Sequence, residues 1–318
     1  MDKYALKLSP YVSETIWGGR KLIEEYNVKT EKSNAAEGWM LSCLEKGPST
    51  VTNGAYAGKT LPEVLKFEPE WSGKNAEKFK DFPILIKFID AMDNLSVQVH
   101  PTKEYCEKTG KGRSKTECWY IIDCEEGASL LLGFKDKISP DTFKKSIEEG
   151  NLTDYTESVK VKPGDFFFIE SGTLHAICKG VLLAEVQESS DTTYRIFDYN
   201  RVGKDGKPRE LHINDAIGVT KLEKFSQPAF CSKNYNGDGK NLLASCDLFT
   251  VWIDKIKDEF TDSADDKSLV SLLILKGEGT LYSNGNETKL TKGDSIFIPA
   301  DSGEYKIKGN LEILETRI

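Results

Sequence analysis

The chain contains three histidines, His100, His175 and His212, so any imidazole chemistry draws on a short set. Gln98-Val99-His100-Pro101 closes an apolar run, and the two-residue period of a strand turns Gln98 and His100 to one face. Glu117 opens another strand-like run, and His175 follows a Gly-Thr turn after a third. Two imidazoles, one carboxylate and one amide oxygen from separate segments suit zinc or another divalent first-row ion, with coordination positions left for water or substrate. Spacing alone leaves a second reading open, in which strand-end histidines are hydrogen-bonded structural residues. The seven cysteines contain no C-x-x-C pair, which argues against a thiolate zinc site and for free thiols in a reducing cytoplasm.

The elements that must position these residues are mostly strands. Short apolar runs at 83–89, 95–99, 118–123, 129–133, 166–169, 181–187, 269–275 and 295–298 are separated by turns rich in Gly, Asp, Asn and Ser. That is the pattern of an all-β sandwich or barrel. Helices are expected as decoration at 20–26, at 61–66 behind Thr60, and from Pro140 to about Glu149. The run 162–175 (KPGDFFFIESGTLH) is echoed by 291–304 (TKGDSIFIPADSGE), each with Gly-Asp, an apolar strand and a turn. We read this as two related β modules, with His175 aligned to Glu304 and Glu117 to Leu269, so that the second module lacks the ligands. The expected modules are 1–225, catalytic and enlarged by helical insertions, and 226–318, degenerate. His212 reads as an ordinary element outside the site, after a hairpin-like turn over 204–209.

With 318 residues the chain suits two domains or one large β domain. Its 43 basic against 51 acidic residues leave a net charge of −8, which disfavours a nucleic-acid footprint. No apolar run approaches a membrane span, and the first ten residues lack the apolar core of a signal peptide. We therefore expect a cytoplasmic chain without nucleic-acid or membrane partners, acting as a monomer or weak homo-oligomer.

Taken in order, six stretches resemble a known family. They are Pro10-Tyr11 with Ile16–Gly19, Leu95–Pro101 (LSVQVHP), Lys115–Tyr120 (KTECWY), Gly172–Ala176 (GTLHA), Leu183–Gln187 (LAEVQ) and Thr193–Tyr199 (TYRIFDY). The first module's motifs resemble the cupin superfamily, and the whole set is similar to the short bacterial form of the type I mannose-6-phosphate isomerases. The resemblance implies two cupin-like jelly-roll modules with a few helices, only the first carrying a metal. It implies one Zn2+ per chain, held by His100, Glu117 and His175, with Gln98 either a fourth ligand or a neighbour of one. It further implies catalytic roles for Arg195, Lys115 and Glu185, and substrate contacts from Ser96 and Lys87. The implied reaction interconverts mannose 6-phosphate and fructose 6-phosphate through a cis-enediol. Longer family members carry a helical insertion between the glutamate and the second histidine, and this chain lacks it. Two other readings use the same residues: a non-catalytic sugar-phosphate sensor, and a cupin oxygenase, for which two imidazoles and Gln98 are a poor ligand set.

Overall fold

The computed structural model describes residues 2–203 and 206–318, so the hairpin-like turn expected over 204–209 begins outside the described residues. The chain divides into two compact units. One holds the chain up to Ser13, Arg20–Phe88 and Ala229–Ile318; the other holds Glu14–Gly19 and Ile89–Pro228. The units are not consecutive halves of the chain: most of the chain up to Phe88, Glu14–Gly19 excepted, groups with the C-terminal part. Main-chain pairing is the reason: Leu6–Ser9 pairs antiparallel with Ser295–Ile298 and with Thr50–Val51.

The unit containing residues 229–318 is built on one eight-stranded sheet. Its order is Gly239–Ser245, Thr250–Ala264, Gly303–Arg317, Val270–Ser283, Ser295–Ile298, Leu6–Ser9 and Thr50–Val51, with Asn286–Thr291 paired beside Val270–Ser283. The last hairpin turns at Asn284-Gly285, both with positive φ (50° and 73°), as a two-residue loop of matching twist requires. Alternating residues such as Ile256, Leu272, Ile274, Ile307 and Ile313 fill its interior. The helix Leu61–Phe67 starts as expected, with Thr60 and Glu63 forming a reciprocal capping box.

The unit containing residues 89–228 carries two antiparallel sheets. In one, Glu117–Cys124 lies between Phe166–Ile169 and Val181–Glu188. The other runs Tyr194–Phe197, Val97–Val99, His175–Ile177, Ser129–Phe134 and Thr156–Lys160. Val97, Val99, Phe134, Leu174, Ala176 and Ile196 form the core on the second sheet, closed by Phe143 of the helix Pro140–Glu148 and Ala216 of the helix Ile213–Val219.

The echo between the modules is physical. In the first, Asp165 Oδ2 accepts from the Lys162 amide, the Gly164 amide donates to the Ile121 carbonyl, and the Ile121 amide donates to the Asp165 carbonyl. In the second, Asp294, Thr291, Gly293 and Ile274 repeat each of these bonds. The two glycines share a left-handed φ of 90° and 92°. Ile121 thus corresponds to Ile274, and the strand register pairs Ile169 with Glu117 and Ile298 with Val270. The counterpart of Glu117 is therefore Val270, one residue beyond the expected Leu269. The conclusion drawn from the alignment is unchanged, since an apolar side chain replaces the carboxylate.

Candidate metal centre

Strands of both sheets meet at one buried cluster. His175 opens its strand and sits opposite Gln98 in register, so these two side chains share a face. His100 follows the strand Val97–Val99, and the Gly172 amide donates to its carbonyl (2.9 Å), tying the turn before His175 to the chain at His100. Glu117 opens the middle strand of the other sheet. His100, Glu117 and His175 are each about 1% exposed. His100 Nε2 lies 3.3 Å from Glu117 Oε2, and His175 Nε2 lies 3.5 Å from Glu117 Oε1. One ligand atom from each of the three lies within 4.8 Å of the others.

The hydrogen bonds orient the imidazoles. Nδ1 of His100 donates to the Thr192 carbonyl (2.9 Å), and Nδ1 of His175 donates to the Thr173 carbonyl (2.8 Å). A carbonyl only accepts, so each ring carries its proton on Nδ1 and turns the Nε2 lone pair to the cluster. His100 Nε2 and Glu117 Oε1 have no hydrogen-bond partner, and Glu117 Oε2 lies 2.8 Å from the Lys115 ammonium. Burial pulls the His100 imidazole down to about 3, with the Lys115 charge adding to the effect, and burial likewise lowers His175. For Glu117 burial works upward, but the carboxyl is held well below its ordinary value, with the Lys115 ammonium the largest opposing influence. Two neutral imidazoles and one carboxylate, all buried and turned inward, form the donor set a divalent ion requires. The residues present fit such an ion.

Around this set the other expected residues fall as follows. Gln98 Nε2 lies 3.3 Å from His175 Nε2, while its Oε1 accepts from the Ser96 hydroxyl (3.2 Å). Turning the amide by 180° would present its oxygen to an ion, and the Ser96 hydroxyl can accept as well as donate. Lys115 is buried, with Nζ 2.8 Å from Glu117 Oε2 and 3.8 Å from Glu185 Oε1. Glu185 also accepts from Trp119 Nε1 (2.9 Å), and the Trp119 ring stands edge-on to His175 at 5.4 Å. Trp119 was missed, although the two-residue strand period places it on the same face as Glu117. Arg195 sits opposite Gln98 in register and donates through Nη1 to the Glu210 carbonyl (2.9 Å). Its Nε is buried without a hydrogen-bond partner. Lys87 is buried in the other unit, 3.6 Å from Glu37 and over the Trp39 ring.

A buried His–Glu–His set on the strands of a double-sheet β module defines a metal-ready centre of the cupin class. The type I phosphomannose isomerase catalytic domain matches residues 5–129, and the mannose-6-phosphate isomerase cupin domain matches residues 239–318. The chain is 35% identical to the mannose-6-phosphate isomerase ManA of Bacillus subtilis over the full length of both. It is 34% identical to the mannose-6-phosphate isomerase of Streptococcus mutans, over 97% of this chain and 96% of that one. A crystal structure of the Bacillus subtilis mannose 6-phosphate isomerase superposes with a TM-score of 0.91 at 33% identity, covering 99% of each chain. The chain belongs to the type I mannose-6-phosphate isomerase family. Among the described residues, no helix is long and apolar enough to cross a membrane.

Proposed function

We propose that the chain interconverts D-mannose 6-phosphate and D-fructose 6-phosphate, and that His100, Glu117 and His175 hold one zinc ion with Gln98 at its edge. The observation that carries the reading is the convergence of three inward-turned, buried donors in a chain matching named isomerases over its whole length. When bound, zinc supplies a Lewis-acidic cation that orients and polarises sugar oxygens.

The remaining chemistry falls to the chain's own side chains. A proton leaves C2, a cis-enediol forms, and a proton returns at C1. Glu185 is the carboxylate we assign to this proton, since Lys115 is already engaged by Glu117 at 2.8 Å. The Lys115 ammonium, between Glu117 and Glu185, offsets part of their combined negative charge. Arg195 meets the negative charge that develops on the enediol oxygens, or the phosphate itself, through the unpartnered Nε and the rest of its fork. Burial and the neighbouring Arg209 pull the Arg195 guanidinium down from its ordinary value, which still leaves it charged at neutral pH. We keep Ser96 and Lys87 as the substrate contacts, the module within 1–225 as the functional one, and the 226–318 module as its structural companion. All seven thiols are free, which supports a reducing, cytoplasmic setting. A monomer or weak homo-oligomer remains our reading of the assembly.

The test is an isomerase assay with metal analysis on the purified chain, His100→Ala and Arg195→Ala. His100→Ala loses metal and turnover together; Arg195→Ala keeps metal and loses turnover. Binding of mannose 6-phosphate without turnover in the zinc-loaded chain would make it a sensor. Oxygen consumption that requires iron, with no isomerase turnover with zinc, would make it an oxygenase.

A further inference from the structure

His212 lies outside the ligand cluster and was expected to be an ordinary structural residue, yet its contacts converge on Arg195. The strand Tyr194–Phe197 is the edge of its sheet, with Val97–Val99 on one side only. An edge strand leaves main-chain groups of alternate residues unpaired. At Arg195 both groups are taken by one residue: the His212 amide donates to the Arg195 carbonyl (2.7 Å), and the Arg195 amide donates to His212 Nδ1 (3.3 Å). Two residues upstream, the Glu210 carbonyl accepts from Arg195 Nη1. The segment 210–212 therefore grips Arg195 at its amide, its carbonyl and one end of its guanidinium.

The position of His212 makes this use of its side chain informative. It is the residue before the helix Ile213–Val219, and the Ala216 amide donates to its carbonyl. An N-cap side chain ordinarily accepts from a first-turn amide. The His212 side chain makes no such bond. Its acceptor goes to Arg195 instead, and its ring lies 6.0 Å from that of Tyr194, the preceding strand residue.

We propose that His212 is a positioning residue for the isomerisation, its Nδ1 fixing the main chain at Arg195 so that the unpartnered guanidinium Nε stays turned to the substrate. The proposal rests on the reading of Arg195 as the group that meets the substrate's negative charge. A main-chain shift of even an ångström at such a group is enough to slow turnover severely.

Asparagine places its side-chain oxygen where Nδ1 stands, whereas glutamine reaches to the position of Nε2. We would measure kcat, KM and bound zinc for His212→Asn, His212→Gln and His212→Ala beside Arg195→Ala. The expected result is that His212→Ala and His212→Gln lose on the order of tenfold in kcat with KM and zinc little changed. His212→Asn recovers most of that loss. Equal impairment of the Asn and Gln variants would overturn the acceptor role, as would wild-type kcat in both. These two variants decide the matter if the alanine variant does not fold. Wild-type turnover in Arg195→Ala would instead overturn the reading of Arg195, whatever the His212 variants do.

Discussion

The Lys115 ammonium lies 2.8 Å from Glu117 Oε2, and both side chains are buried. The pair brings a fixed positive charge to the carboxylate that the ion would use. Removing one partner of a buried pair leaves the other uncompensated, at a typical cost of about 3–5 kcal/mol. We expect Lys115→Met to lower the thermal stability of the metal-free protein strongly. Added zinc should restore most of it, because a divalent ion at Glu117 supplies the missing charge. Thermal unfolding with and without zinc checks this; a variant equally destabilised in both conditions would sink the idea.

The two imidazoles set a second expectation, on pH. His100, pulled to about 3, and His175, also lowered, stay neutral in the fold while unfolded histidines protonate near 6.5. Below that value the unfolded state binds more protons, so the metal-free protein loses stability as the pH falls from about 6.5 towards 3. The Glu117 contribution lies lower: it is present above the ordinary 4.5 of a glutamate and is lost below it. Between pH 6.5 and 5 the loss of stability on acidification therefore comes from the histidines and not from Glu117. His175→Gln, metal-free, should show a flatter fall in Tm over that interval than wild type. An identical slope would show that His175 is not held neutral.

The ligand set was legible because each member is a distinctive residue at a strand end, and the strand period predicts which neighbours share its face. Its orientation was not legible. The carbonyls of Thr192 and Thr173 that hold the imidazoles are main-chain groups, and any residue could supply them. The strands Thr250–Ala264 and Gly303–Arg317 escaped notice because residues 257–263 of the first and 303–310 of the second are rich in exposed charged and polar residues, which interrupts the apolar run. The grouping of Leu6–Ser9 with Ser295–Ile298 is a pairing across nearly the whole chain, which no local pattern encodes. The helix Lys103–Thr109 did carry a local signal, with Thr102 accepting from the Tyr105 amide and Gly110 closing it in the left-handed region.

Trp119 joins the proposed proton-transfer carboxylate to a ligand, since its Nε1 donates to Glu185 while its ring abuts His175. Phenylalanine keeps an aromatic ring there and loses the donor. A hydrogen bond to a charged group contributes about 1.5–3 kcal/mol. We expect Trp119→Phe to lose stability in that range and to lower kcat while retaining zinc. Denaturant unfolding, metal analysis and the isomerase assay together check this; loss of zinc with unchanged kcat per bound metal would place Trp119 with the ligands rather than with Glu185.

The second module has a buried polar group of its own. Asp254 and Glu315 are both fully buried, and the Asp254 carboxyl meets that of Glu315. Glu315 is held by Lys240 and by Arg317, each at 2.6 Å. Burial, reinforced by the Glu315 carboxylate, pushes Asp254 up to about 9, so it carries a proton at neutral pH. The unfolded chain releases that proton above the ordinary 3.8 of an aspartate. Stability contributed at this position therefore falls as the pH rises from about 4 to about 9. Asparagine has nearly the same shape and no proton to lose. We expect the Tm of Asp254→Asn minus that of wild type to be larger at pH 8 than at pH 5, with the variant the more stable at pH 8. Melting curves of both proteins at the two pH values measure the difference, and a gap that does not change with pH would mean that Asp254 is ionised in the fold.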